Sequence, residues 1–514
     1  PTGRDASALD ARIDGGSFGF MRAQASTGGA EGAFDYFINL SEQREDGYRD
    51  HSEGHIERGN ANFGYQFSPD METRFYISAN SWRQRLPGEL TKSQSLNTPR
   101  MANANFVTQD QQRNIDSVRL ANKTTVRFDE TTIDFGIFSH NRHVDHPIFR
   151  YLDFDVDDYG GFVNAVDDRS IGGYRNRFNI GLNLLYGELD YREYTNAGNA
   201  TKGALQFSTL DKSQIYTAYA EDAFYFLPDV ALVAGTQVLH AMRERTDRFL
   251  GDGDQSGSRT YNIWSPKVGL LWEVDKDWQV FGNVSRSAEI PTFDANTFAA
   301  PANSNLEAQT ATTYEIGTRG RRADFNWDLS AYRSELKNEL QCVRTSPFAL
   351  CSVRNVDRTV HQGVEAGFGT AFLKTLFAPD DRLWLNAAYT YNDFYFDGAT
   401  YNGNSMPGVP KHFLRTELLY KHPSGFYAGP SVDWMMQSFY ADNANSLAVD
   451  PYALLNFRLG FDAGSRWSGY LEGRNLLDKR YISSAVIAET APATEALFNP
   501  GYGRAVYAGL RLTW

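Results

Sequence analysis

The chain has 514 residues, 41% of them apolar and 14% aromatic, with a net charge of −13 at pH 7. No run of eighteen or more apolar residues occurs, which excludes helical membrane spans, and the acidic balance argues against a nucleic-acid partner. A membrane β-barrel stays open, because strands that alternate lipid-facing apolar with lumen-facing polar residues average out to a polar composition.

Period-two alternation begins near Ala11 and recurs along the whole chain. In order, Phe63, Tyr65 and Phe67 lead through Ser68-Pro69-Asp70 to Phe75, Ile77 and Ala79. Val126 and Phe128 lead to Ile133, Phe135 and Ile137. Further hairpins are predicted to turn at Tyr186-Gly187, at Pro228-Asp229 and at Asp275-Lys276-Asp277. Between the hairpins lie polar stretches rich in Asn, Asp, Gly and Ser, at 84–117, 140–175, 196–213, 244–262 and 287–309. Short and long connections thus alternate. A soluble sandwich has water at both ends and no cause to do this, whereas an outer-membrane barrel has short periplasmic turns and long outward loops.

Cys342 and Cys351 are the two cysteines of the chain. The pair suits one local disulfide of an oxidising compartment, in the outward loop between strands ending near Leu336 and starting near Arg358. The chain closes on AVYAGLRLTW, with Val506, Ala508, Leu510, Leu512 and Trp514 on one face. This is a closing strand with its apolar side toward lipid and Trp514 at the periplasmic interface. The predicted fold is an all-β transmembrane antiparallel barrel of about 22 strands over 10–514, both ends periplasmic.

Several segments carry a resemblance in order: SPKVGLLWEVDKDWQVFGNVSRSAEIPTF, NLEAQTATTYEIGTRG, HQGVEAGF, PGVPKHFLRTELLY, YADNANS and NLLDKRYISSA. Of these, NLLDKRY and TYEIGTRG are the most specific. Together they resemble the barrel of TonB-dependent outer-membrane receptors, and LPGELTKSQ with YADNANS looks like the ferric-citrate receptor branch. Leu306-Glu307-Ala308-Gln309 stands where many members have Leu-x-Pro-Glu. The resemblance implies an N-terminal plug, not found in this chain, of which residues 1–9 would be the residual linker. It also implies the TonB-ExbB-ExbD system as partner through that plug, outer-membrane lipid as surroundings, a small-molecule ligand and a Gram-negative outer-membrane location. A closed barrel has no edge to cover, so a monomer is expected.

Candidate site residues follow from the same alternation. On the strand VALVAGTQVLHAMRER, Val238 fits the lipid face, so Gln237, Leu239, Ala241 and Arg243 point into the lumen near its outer end. Arg243 suits an anionic ligand by a bidentate clamp, and Arg83 and Arg85 leave another strand at the same level. Asp153, Asp155 and Asp157, in a stretch that also holds His140, His143, His146 and Asp158, offer a weak oxygen-ligand pattern for Ca²⁺ without the EF-hand Gly and Glu. His51, Glu53 and His55 would share one strand face. No catalytic motif occurs and no intrinsic cofactor is implied, so no enzyme is expected. The expected function is active uptake of a scarce solute, a ferric siderophore or ferric citrate-like Fe(III) chelate. The alternatives are a passive porin and uptake of cobalamin, a saccharide or an aromatic carboxylate.

Overall fold

The computed structural model describes residues 1–291, 306–344, 352–464 and 466–514. Twenty-two antiparallel strands close on themselves, the first pairing with the last. They are β1 (Asp10–Gly16), β2 (Met21–Glu31), β3 (Phe34–Glu45), β4 (Gly54–Ser68), β5 (Met71–Arg85), β6 (Gln112–Phe128), β7 (Thr131–Pro147) and β8 (Arg150–Ile171). The ring continues with β9 (Tyr174–Asn196), β10 (Lys202–Leu227), β11 (Val230–Asp247), β12 (Gly257–Asp275), β13 (Trp278–Glu289), β14 (Gln309–Arg322) and β15 (Phe325–Val343). It is completed by β16 (Ser352–Lys374), β17 (Arg382–Phe396), β18 (His412–Lys421), β19 (Phe426–Met435), β20 (Tyr452–Asp462), β21 (Trp467–Arg474) and β22 (Ala505–Thr513). No helix among the described residues is long and apolar enough to cross a membrane.

Closure follows the terminal alternation: Ile13 stands opposite Leu510 and Ala11 opposite Leu512. The Leu9 and Trp514 backbones exchange hydrogen bonds of 3.1 and 2.7 Å, so both chain ends lie at one rim. That rim carries the short turns, several of two residues. At Gly172-Gly173 both φ values are positive, 61° and 88°, a conformation that side chains beyond glycine resist.

Outward side chains form an apolar band, with Leu40, Ile137, Ile316 and Leu510 each more than 60% exposed. In a soluble protein such a surface would aggregate; around a barrel it is the lipid face. Above the band on β8–β11, Tyr159 stacks on Tyr186 at 5.4 Å, Tyr186 meets Tyr216 at 5.8 Å, and Tyr216 stacks on His240 at 6.1 Å. This aromatic row marks the outer interface.

On the inner wall near the short-turn rim, Arg74 donates to both oxygens of Asp35 at 2.7 and 2.9 Å and to Asn62 Oδ1 at 2.7 Å. The N-terminal segment docks on this buried group through Gly3 N to Asp35 Oδ1 at 2.9 Å. A Cβ at Gly3 would stand 2.2 Å from the carbonyl oxygen of Gly29, so no larger residue fits there.

The structure departs from the expected strand limits in three places. Tyr186-Gly187 is no turn but the middle of β9. The stretch 140–175 is no loop: β7 and β8 run through it, joined by residues 148–149 and turning at 172–173. Strands β15 and β16 likewise reach Val343 and start at Ser352, beyond the predicted limits. At about 3.3 Å per residue, strands as long as the 26 residues of β10 far exceed the roughly ten that span a bilayer, so they stand above it as a tall wall.

The long loops are folded. In 86–111 a helix α1 (Lys92–Asn97) opens with a capping box, Thr91 Oγ1 accepting from Gln94 N and Gln94 Oε1 from Thr91 N. Loops 436–451 and 475–504 build a core with this segment, in which Met435, Phe439, Val449, Ile482, Leu497 and Phe498 are buried. Asp442, fully buried, ties it: its carboxylate accepts from Ser446 N at 2.9 Å, Leu447 N at 3.1 Å, Ala491 N at 3.3 Å and the Ser446 hydroxyl.

Candidate functional site

Above the aromatic row the inner faces of β6–β11 form a concave recess of about 520 Å³. Strand alternation dictates its lining. With Val118 and Leu120 facing lipid, Arg113 and Ile115 face inward on β6; with Phe135 and Ile137 outward, Arg142, Val144 and His146 face inward on β7. Phe154, Val156 and Leu189 continue the apolar wall, and Ser213 and Arg243 complete it on β10 and β11. An apolar stripe extends it sideways, since Ile56, Trp82, Ile115, Val144 and Phe154 are successive cross-strand neighbours.

Three guanidinium groups line this recess. Arg243, 7% exposed, donates to Ser213 Oγ at 2.6 Å. Arg113 Nη2 lies 3.3 Å from His146 Nε2. Among the described residues no ion pair with a carboxylate is formed by Arg113, Arg142 or Arg243, although Asp158 and Asp211 share the lining. Asp211 is engaged by Arg245 through two bonds of 2.7 Å, a buried fork that leaves it no attraction to spare for Arg243. Arg259 in turn is engaged by Glu307 at 2.6 Å. The recess therefore combines three cations, of which Arg142 alone has the charge of a lining carboxylate, Asp158, nearby, with an apolar wall, which suits a partly apolar anion.

His146 is buried at the upper end of β7, with Nδ1–H donating to the Gln112 carbonyl at 2.6 Å and Nε2 facing Arg113. Burial first, opposed by the Gln112 bond, and then the Arg113 charge carry its pKa down to about 4. The unfolded value near 6.5 is higher, so the native state favours neutral imidazole. Stability is full above pH 6.5 and falls as pH drops from there toward 4, by about 3 kcal/mol. In a ¹³C-histidine spectrum this ring is expected to titrate near pH 4, and amide exchange around Gln112 to accelerate below pH 6. A titration near 6.5 would contradict the geometry.

The structure sorts the predicted residues. Gln237 and Arg243 face the lumen, Gln237 in a lower recess of about 340 Å³ beside Lys267. Arg83 and Arg85 do not: they share the outward face with Phe75 and Ile77, Arg83 bound to both oxygens of Asp116 at 2.9 and 2.7 Å and Arg85 to Asp110 at 3.2 Å. Asp153, Asp155 and Asp157 also face outward, on β8, and are not gathered around one point. Asp153 accepts from Lys202 at 2.6 Å, Asp155 from Arg192 at 2.6 Å and Asp157 from Asn141 at 2.5 Å. His51 lies before β4 begins, bonded to the Gln111 carbonyl at 3.2 Å, and shares no strand face with His55. Cys342 stands opposite Val353 near the end of β15, and Cys351 lies outside the described residues. The sequence pattern does not single out Arg113 and Arg142, because both fall in stretches whose composition is that of loops; carrying the alternation of Val118 and Ile137 outward finds them.

Comparison with known proteins agrees with this architecture. Residues 3–476 match the family described as TonB dependent receptor-like, beta-barrel. The chain is 25% identical over 288 residues to the ferric-pyoverdine M114 receptor PbuA of Pseudomonas sp. (strain M114), covering 52% of this chain and 33% of that one. It is 24% identical over 305 residues to the vitamin B12 transporter BtuB of Photobacterium profundum, covering 55% and 44%. The chain thus spans a third to less than half the length of these relatives. The crystal structure of the unliganded ferric citrate transporter FecA superposes with a TM-score of 0.84 at 16% identity, over 99% of this chain and 79% of that one. The siderophore receptor PiuA from Acinetobacter baumannii gives 0.80 at 15%, over 98% and 81%.

Proposed function

The chain belongs to the TonB-dependent receptor-like β-barrel family, a family of outer-membrane transport receptors of Gram-negative bacteria rather than enzymes, and from that premise we propose that it captures an anionic Fe(III) chelate. Ferric citrate or an acidic ferric siderophore would fit. The observation that carries this is the recess in which Arg113, Arg142 and Arg243 form no contact ion pair with a carboxylate among the described residues, Asp158 being the lining acid nearest in charge to Arg142. An anionic chelate can accept charge-assisted bonds from these guanidinium groups, and Phe154 and Leu189 supply an apolar wall.

Transport itself needs a gate, because a ring of twenty-two strands encloses more space than its own side chains fill. In the proposed mechanism residues 1–9, docked on Asp35, connect the barrel to a plug, and that plug receives energy from the TonB-ExbB-ExbD system. Cys342 and Cys351 close a local disulfide at the outer rim, and the barrel works as a monomer. Similarity to a vitamin B12 transporter supports a second reading, a cobalamin-like solute.

The test is uptake of ⁵⁵Fe from ferric citrate by cells lacking their own receptors and expressing the complete gene product, with and without functional TonB. Energy-dependent accumulation, competed by excess ferric citrate and not by cyanocobalamin, is expected. Uptake of cyanocobalamin instead, or a steady large single-channel conductance of the purified product, would overturn the proposal.

A further inference from the structure

On the outer wall of β7 and β8, clear of the lumen and above the aromatic row, three side chains converge that the transport site does not use. Ligand atoms of His143, Asp145 and Asp153 all lie within 4.8 Å of one another. His143 Nε2 is 3.3 Å from Asp145 Oδ2. Asp153 is 5% exposed, and its Oδ1 has no hydrogen-bond partner, with Arg192 Nη2 no nearer than 3.5 Å. The carboxylate as a whole is engaged by Lys202 on Oδ2 and by the Arg192 charge, but its buried Oδ1 makes no hydrogen bond, and that oxygen is the one a coordinated cation would satisfy.

The surrounding groups hold these ligands in place. His143 Nδ1 is 2.8 Å from Asp155 Oδ1, so a proton on Nδ1 turns the Nε2 lone pair toward Asp145. Asp155 is fixed by Arg192 at 2.6 Å and Asp145 Oδ1 by the Tyr151 hydroxyl at 3.1 Å, while Lys202 stands 2.6 Å from Asp153 Oδ2 and 3.7 Å from Asp145 Oδ1, on the carboxylate oxygens other than Asp153 Oδ1 and Asp145 Oδ2. A carboxylate orienting an imidazole whose other nitrogen meets the metal is the usual outer shell of a metal-bound histidine, and here that nitrogen faces Asp145 Oδ2 at 3.3 Å, the separation of two ligand atoms around one ion.

We propose that His143, Asp145 and Asp153 bind a divalent transition-metal ion, Zn²⁺ best matching one imidazole and two carboxylates, with Asp155 as the positioning residue. Water fills the remaining position. The ion pins the tall ends of β7 and β8 together on the face turned away from the lumen. An all-oxygen Ca²⁺ site would not use the histidine. A second cluster, Glu42, His55 and Glu57, is the weaker candidate, because none of its three members is buried.

The full chain, folded in detergent and stripped with chelator, is titrated calorimetrically with ZnCl₂, and Co²⁺ is followed by its visible absorption. One equivalent is expected to bind. His143→Ala and Asp153→Asn should each weaken it at least about 100-fold, and Asp155→Asn about 10- to 100-fold with an altered Co²⁺ spectrum. His55→Ala and Asp157→Asn should leave it unchanged. Heat-modifiable electrophoretic mobility verifies the barrel, and if His143→Ala does not fold, Asp153→Asn and Asp155→Asn decide. Absence of saturable Zn²⁺ binding, displacement by equimolar Ca²⁺, or loss in His55→Ala with retention in the other variants would overturn the site.

Discussion

Replacing Arg142 and Arg243 together by Met is expected to weaken ferric citrate binding about 10²- to 10⁴-fold. Each guanidinium faces the recess without a contact ion pair to a carboxylate among the described residues, so each is available for a charge-assisted bond to ligand oxygens, Arg142 the less so because Asp158 lies nearby. Such bonds contribute roughly 1.5–3 kcal/mol apiece, and two on one ligand need not add exactly as separate sites would. Met keeps most of the apolar stem, so loss of packing is not confused with loss of charge. Arg83→Met is the control: its pair with Asp116 is exposed on the outer wall, worth at most about 1 kcal/mol, and binding should not change. Quenching of intrinsic Trp fluorescence measures the affinities, with ionic strength as a second axis, since screened anion binding weakens with salt. Equal affinity in the double variant and the parent would remove the recess as the capture site.

Asp442→Ala is expected to unfasten the loop core while leaving the barrel intact. The carboxylate is fully buried and accepts from the backbone of Ser446, Leu447 and Ala491, joining loop 436–451 to loop 475–504. Truncation leaves three backbone donors unmet, at about 1–3 kcal/mol each, a local loss of about 3–9 kcal/mol. Amide exchange across 439–449 and 482–498 should accelerate by at least about 10²-fold, while β20–β22 stay protected. Asp442→Asn should fall between, because one amide oxygen still accepts while the NH₂ confronts a donor. Unchanged exchange in both variants would show that apolar packing around Phe439 and Phe498 suffices without the anchor.

What the chain discloses in advance depends on lipid. Where a strand crosses hydrocarbon, one face must be apolar, and Phe75-Ile77 or Leu510-Leu512 announce themselves by alternation. Above the membrane both faces meet water. There β7, β8 and β10 are held by ladder hydrogen bonds that place no demand on side-chain type, and their polar composition looks like loop. The strand number and closure are therefore legible, but the height of the wall is not. The same limit governs the site. Gln237 and Arg243 are legible because Val238 fixes the parity of β11, whereas Arg113 and Arg142 sit where the alternation has already lapsed. Arg83 shows the reverse: continuing Phe75, Ile77 and Ala79 upward places it outside, a consequence present in the residues themselves. The loop core leaves no periodic trace, since its members come from segments remote from one another in the chain.

That remoteness has a kinetic consequence. Leu90 bridges to Phe498, and Ser95 reaches the Phe498 carbonyl across 403 positions. Contacts so distant cannot form on an emerging chain, because the entropy of joining the two segments is recovered after the ring of strands has brought them to one rim. The outer lid of packed loops is thus the final piece to assemble, a built-in signature that the cylinder beneath it has already sealed.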